Sequence, residues 1–210
     1  MPTKRFYNLP DEKKQRIIKA SVEELSSVNI DNLSINRIVK KAEIPRGSFY
    51  EYFENKFDLV DFLLDDFRNQ MKDYARKSVL NNKGNIFDSA EKMFIFTVEY
   101  GFRNKKIQFF KNIFSCIRYA EYNDFKYVFS QKELALDEFV KMLDFSDLNL
   151  KSKDEFLCFT DILLDIFKAE IAVIFLDPDN REKHTQNFFT KVNMLKSGVL
   201  KPKFKGESHD

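Results

Sequence analysis

Between positions 34 and 56 the chain gathers side chains suited to one kind of chemistry: Ser34, Arg46, Gly47, Ser48, Tyr50, Tyr52 and Lys56. Arginine offers a planar fork of donors, lysine a compact positive charge, and serine and tyrosine hydroxyls that can donate to an anionic oxygen. Gly47 and Ser48 are small, so a backbone there can approach a phosphate closely. Ser34 would add its hydroxyl at a helix start, where free N–H groups favour anions. Together these residues point to gripping a phosphate backbone and reading base edges. No nucleophile beside a base, phosphate loop or paired-carboxylate site is readable, so no enzyme is expected, and no cofactor. His184 and His209 are too few and too far apart to propose a metal site.

The elements that must carry these side chains are helices. With Gly 5 and Pro 5 in 210 residues, the chain has too little turn punctuation for a β-rich fold. No stretch alternates convincingly with period two, and the reading is all-α. A first helix opens around Pro10, with Asp11 and Glu12 at its positive end and Ile18, Val22 and Leu25 on one stripe. Ser34 is the expected N-cap of a second, short helix bearing Ile35, Ile38 and Val39. Pro45 ends the following break and opens a third helix over Arg46 to Tyr52. A long helix is expected from Phe57 to Leu80, and further helices at 86–102, 105–117, 122–143, 154–177 and 181–198.

Two short helices joined by a tight turn and packed on a longer one describe a helix-turn-helix reader. From Arg16 through Val60 the sequence resembles the TetR family of bacterial transcriptional regulators. The telling run is Arg46-Gly47-Ser48-Phe49-Tyr50-Glu51-Tyr52-Phe53-Glu54-Asn55-Lys56, which follows the family pattern without a gap. The resemblance places Arg46, Ser48 and Tyr52 at the groove, Tyr50 and Lys56 on phosphates, and Phe49 and Phe53 on the core side. It implies a three-helix DNA-binding domain over residues 1–56. A helical effector-binding and dimerisation domain over 57–210 would follow, with 57–80 as the linking helix. One departure stands out: Glu43 occupies the turn position where the family usually has glycine, and it brings an anion near DNA, as do Glu51 and Glu54.

Each assignment has a plainer competitor. Tyr50 and Tyr52 could be half-buried aromatics, and Lys56 a surface charge at a helix start. Arg37, Lys40 and Lys41 fit a solvated face that also steers DNA. Lys+Arg number 35 and Asp+Glu 33, a net charge of +2, which excludes polybasic and acidic disordered classes. The excess is at the amino end, where residues 1–56 carry 11 cations and 8 anions. Two cysteines, Cys116 and Cys158, cannot build a disulfide framework, fit a reducing compartment and are expected as small buried residues. No apolar run is long enough to span a membrane and no secretory leader is read, so a cytoplasmic address is expected.

Of the 24 Phe residues, 18 lie beyond position 80. Phe94, Phe96, Phe102, Phe109, Phe110, Phe114, Phe125 and Phe129 could fill a core or line an apolar cavity. Tyr100, Tyr119 and Tyr122 could supply polar handles. The 154–177 helix is apolar nearly all round and so should be buried on all sides. With Phe188, Phe189, Val192 and Leu195 it suggests a homodimer closed by a four-helix bundle; a central core helix is the alternative. The expected function is a DNA-binding regulator, a repressor on a palindromic operator released by a small apolar or aromatic ligand. The alternative is an effector-independent architectural or cell-division DNA binder.

Overall fold

The computed structural model describes residues 1–103, 106–117 and 141–201, without the side chains of Phe114, Cys116 and Ile117. Its helices are α1 (Lys4–Tyr7), α2 (Asp11–Ser27), α3 (Ile35–Lys41), α4 (Arg46–Tyr52), α5 (Lys56–Asn81), α6 (Ile86–Arg103), α7 (Ile107–Ile117), α8 (Lys153–Leu176) and α9 (Arg181–Val199). A 3-10 turn, Pro178–Asn180, joins the last two. Among the described residues there is no strand, only isolated bridges between Asn85 and Asp144 and between Leu148 and Leu200. No helix among them is long and apolar enough to cross a membrane.

The helix boundaries follow local chemistry. Pro10 stands at the N-cap of α2, with Asp11 and Glu12 in the first turn. Ser34 caps α3 by accepting the Arg37 N–H at 3.4 Å, and Asn55 caps α5 by accepting from Phe57 and Asp58. Ser152 accepts from Glu155 N while Glu155 reaches back to Lys151 N at 2.6 Å, a reciprocal pair that starts α8.

Two features depart from the sequence reading. The helix α1 precedes the expected first one, burying Phe6. The predicted 122–143 helix lies largely outside the described residues, and its last three positions, 141–143, are turn and coil. At the carboxyl end Leu200 and Lys201 are held in place: Lys201 N donates to Asp147 O at 3.0 Å, and Asn149 N to Val199 O at 2.7 Å.

The head, α1 to α4, packs around Ile17, Leu25, Ile38, Phe49 and Phe53, each fully buried. It is joined to the rest by more than the long α5. Helix α7 lies along α2, and the Asn112 side-chain amide donates to Leu25 O at 2.7 Å, one of the carbonyls that the end of α2 leaves unpaired. In the body, α8 packs on α6, α7 and α9. Its inner face buries Phe159, Leu163, Ile171, Ile174 and Phe175. Phe94 stacks on Phe188 at 3.7 Å, and Phe110 on Phe175 at 5.0 Å. At Gly101 an added Cβ would lie 2.2 Å from the Phe175 ring, so only glycine lets α6 and α8 come this close.

Candidate nucleic-acid interface

Helix α4 is held by one face and offers the other. Phe49, Tyr52 and Phe53 are buried, at 0%, 5% and 0% exposure. Arg46, Gly47 and Tyr50, at spacings of one and three, are exposed, and Ser48 is half-buried. A Cβ added at Gly47 would meet nothing within 4 Å. Packing inside the protein therefore does not require glycine there, and the bare backbone faces outward. The sequence-predicted pair Tyr50 and Tyr52 is thus divided. Tyr50 is 48% exposed, whereas Tyr52 lies against Phe6 at 6.1 Å with Lys13 Nζ 5.8 Å from its ring centroid. The signal was available in the sequence: Tyr52 is three residues after Phe49 and shares its helical face, whereas residues two apart do not.

Lys56 is also placed differently from the expectation of a phosphate grip. Its ammonium donates to the carbonyls of Ile30 and Asp31, both at 2.9 Å, so it ties the α2–α3 loop to the start of α5. Around Ser34 a second clasp forms. The Glu24 carboxylate accepts from Ser34 N at 3.2 Å and from Arg37 Nε at 2.7 Å, and Arg37 also donates to Asn32 O at 3.2 Å. Ser34 Oγ is the acceptor of its helix cap, which leaves its own proton for an outside acceptor. Arg37 and Lys41 are therefore paired with Glu24 and Glu23 on α2 rather than held free for DNA.

Glu43 has φ +55°, the left-handed conformation that its glycine-like place in the turn demands. Its carboxylate does not project alone, since Arg16 on α2 sits 3.3 Å away.

In the body, Tyr100 is buried, donates to Asp66 at 2.7 Å and accepts from Lys106 at 2.9 Å. Burial pushes Asp66 upward, but the donors Tyr100, Gln70 and Lys106 outweigh it and hold the carboxylate below its ordinary value. Burial, then the hydrogen bond to Asp66 and its charge, push the Tyr100 phenol far up. Beside it lies a cavity of about 20 Å³, lined by Val22, Leu63, Phe67, Tyr100, Lys106, Phe109 and Phe110. That is room for about one water. A larger open depression of about 500 Å³ is lined by Phe145, Leu148, Leu150, Lys151, Ser152, Lys153 and Phe156. Tyr119, Tyr122, Phe125, Phe129 and His209 lie outside the described residues, as do the side chains of Phe114 and Cys116. Cys158, expected buried, is exposed. Among the described residues no group of three or more His, Cys, Asp or Glu is placed to hold a metal ion.

Residues 17–62 match the family model described as bacterial regulatory proteins, tetR family. Residues 85–199 match the one described as tetracyclin repressor-like, C-terminal domain. Among curated proteins, the uncharacterised HTH-type transcriptional regulator YdgC of Bacillus subtilis is 29% identical over 84 residues. That stretch spans 40% of this chain and 43% of the relative, less than half of either. A TetR-family transcriptional regulator from Streptomyces coelicolor shares the fold with TM-score 0.65 at 16% identity, covering 93% of each chain. The Thermus thermophilus transcriptional repressor FadR, solved in complex with lauroyl-CoA, matches with TM-score 0.62 at 14% identity, over 93% of this chain and 99% of that one.

Proposed function

The chain belongs to the TetR family of bacterial regulatory proteins, and from that premise we propose that it is a sequence-specific, DNA-binding transcriptional regulator working as a homodimeric repressor. The observation that carries this is the outer edge of α4. Arg46, Gly47 and Tyr50 face solvent on a helix whose opposite face is locked by Phe49, Tyr52 and Phe53. Arg46 would reach a base edge, Gly47 and Ser48 would let the backbone approach, and Tyr50 and Ser34 would donate to phosphates. Tyr52 and Lys56 serve the same end from beneath, by fixing the two short helices.

A second copy is the natural cover for α8. Cys158, Ile162, Ala169 and Val173, spaced by four, seven and four residues, are exposed on one side of a helix whose other side fills the core. Two heads joined this way would enter successive major grooves about 34–36 Å apart and read a palindromic operator. An effector that shifts α5 or α7 would change that spacing, since α7 is bonded to α2 through Asn112. The Thermus repressor's lauroyl-CoA supports an apolar ligand for this chain too.

One observation favours the reading without an effector. Among the described residues Phe94 packs on Phe188 and Phe110 on Phe175, and the cavity beside Tyr100 holds about 20 Å³. A ligand entering there has to part packed rings. Selection of bound duplexes from a random pool at fixed salt, repeated with apolar candidates such as acyl thioesters, tests both readings. Enrichment of a palindrome supports the regulator, and its release by a ligand supports the gated form. Failure to enrich any sequence overturns the proposal.

A further inference from the structure

The short helix α4 carries the reading edge, yet its own sequence does little to close it. It has seven residues, its N-cap is Pro45 without a side-chain bond, and its C-cap is Phe53, whose N–H bonds back to Phe49 O. A helix this short is marginal on its own and leaves its last carbonyls unpaired. Two of those carbonyls are met by Thr3, near the amino end of the chain. Thr3 N donates to Tyr52 O at 2.9 Å, and Thr3 Oγ1 donates to Glu51 O at 2.6 Å.

Thr3 itself stands at the N-cap of α1, where a threonine hydroxyl ordinarily accepts a bond from its own helix; here it makes none. Its hydroxyl is turned across to α4 instead. Phe6, one turn on, is 1% exposed and lies against Phe53 at 4.9 Å and Phe62 at 5.0 Å, which fixes α1 in place beside α4. Arg5 adds a contact to the Glu51 carboxylate at 3.3 Å.

We propose that Thr3 is a positioning residue for DNA reading, closing the carboxyl end of the recognition helix from outside it. The inference rests on the DNA-binding reading for its consequence but not for its geometry. Thr3 has φ −70°, which a proline ring can adopt. Thr3→Pro removes both donors, Thr3→Val removes the hydroxyl alone, and Thr3→Ser keeps both.

The series is tested in the full-length protein by two readouts. The first is amide hydrogen exchange over Phe49 to Phe53. The order expected is serine equal to wild type, valine faster, proline fastest. The second is affinity for a selected duplex against a scrambled one of equal length and salt. Valine should lower the ratio about threefold, the weight of one exposed hydrogen bond, with scrambled-duplex affinity unchanged, and serine should restore it. Unchanged exchange in the valine and proline variants overturns the proposal. So does an equal loss on both duplexes. If the wild type selects no duplex at all, the regulator reading fails, while the exchange series still decides whether Thr3 closes α4.

Discussion

Replacing Glu43 separates backbone strain from charge at the turn. At φ +55° a residue with a Cβ carries a left-handed cost of about 1–2 kcal/mol. Glycine removes that cost but has more freedom to lose on folding, about 0.5–1 kcal/mol. The side chain's pairing with Arg16 links groups that are 75% and 42% exposed, so it contributes about 0–1 kcal/mol. Against wild type these contributions nearly cancel for Glu43→Gly. Comparing Glu43→Gly with Glu43→Ala avoids the cancellation, because both lose the ion pair and only glycine relieves the strain. The glycine variant should then be the more stable by about 0.5–1 kcal/mol. For a chain of this size that is about 1–4 °C in Tm. Thermal unfolding followed by circular dichroism, with reversibility checked, reads the difference. Both variants remove the same anion from the head, so their gain in DNA affinity should be alike. An alanine variant as stable as the glycine variant would refute the strain argument.

Three further outcomes follow from the packing. Lys56→Ala should destabilise the head by about 1–2 kcal/mol in urea denaturation, because the loop carbonyls of Ile30 and Asp31 lose a charged donor; a variant weakened only in DNA binding would restore the phosphate role. Gly101→Ala should cost about 1–3 kcal/mol, since the new methyl meets the Phe175 ring at 2.2 Å, and it should be read by the same denaturation. Tyr100→Phe removes a donor that keeps Asp66 below its ordinary value. A carboxylate lowered in the folded state contributes stability above its unfolded pKa and loses it as pH falls through the folded one. The deficit of Tyr100→Phe should therefore be largest near neutral pH and shrink in acid, and a deficit that grows in acid would contradict the pairing.

Much of the fold was legible because its signals are local. Ser34 and Pro45 mark helix starts by side-chain or ring chemistry within a few residues of the start, and the apolar stripe of α2 recurs at helical spacing. For the candidate site, helical spacing separates the exposed Arg46, Gly47 and Tyr50 from the buried Phe49 and Tyr52, whereas nothing within a turn of Lys56 shows the carbonyls of Ile30 and Asp31 that it meets. The same limit hid α1. Thr3 and Phe6 acquire their partners only when residues about fifty positions later fold against them. Glu43 is the opposite case, where a resemblance flagged a strained position and Arg16, far away in sequence, supplies its partner.

The claim on which the account rests is that the outer edge of α4 enters the major groove. Gly47→Cys, in a chain whose two native cysteines are replaced, offers the most direct test, because a side chain there meets nothing within 4 Å. With a DNA-cleaving chelate attached at that thiol, the selected duplex should be cut at two clusters of positions about one helical turn apart. The same chelate carried by Met194→Cys, on an exposed position of α9, should leave the duplex intact. Uncut DNA from the position 47 conjugate while binding persists, or cutting from position 194 instead, would contradict it.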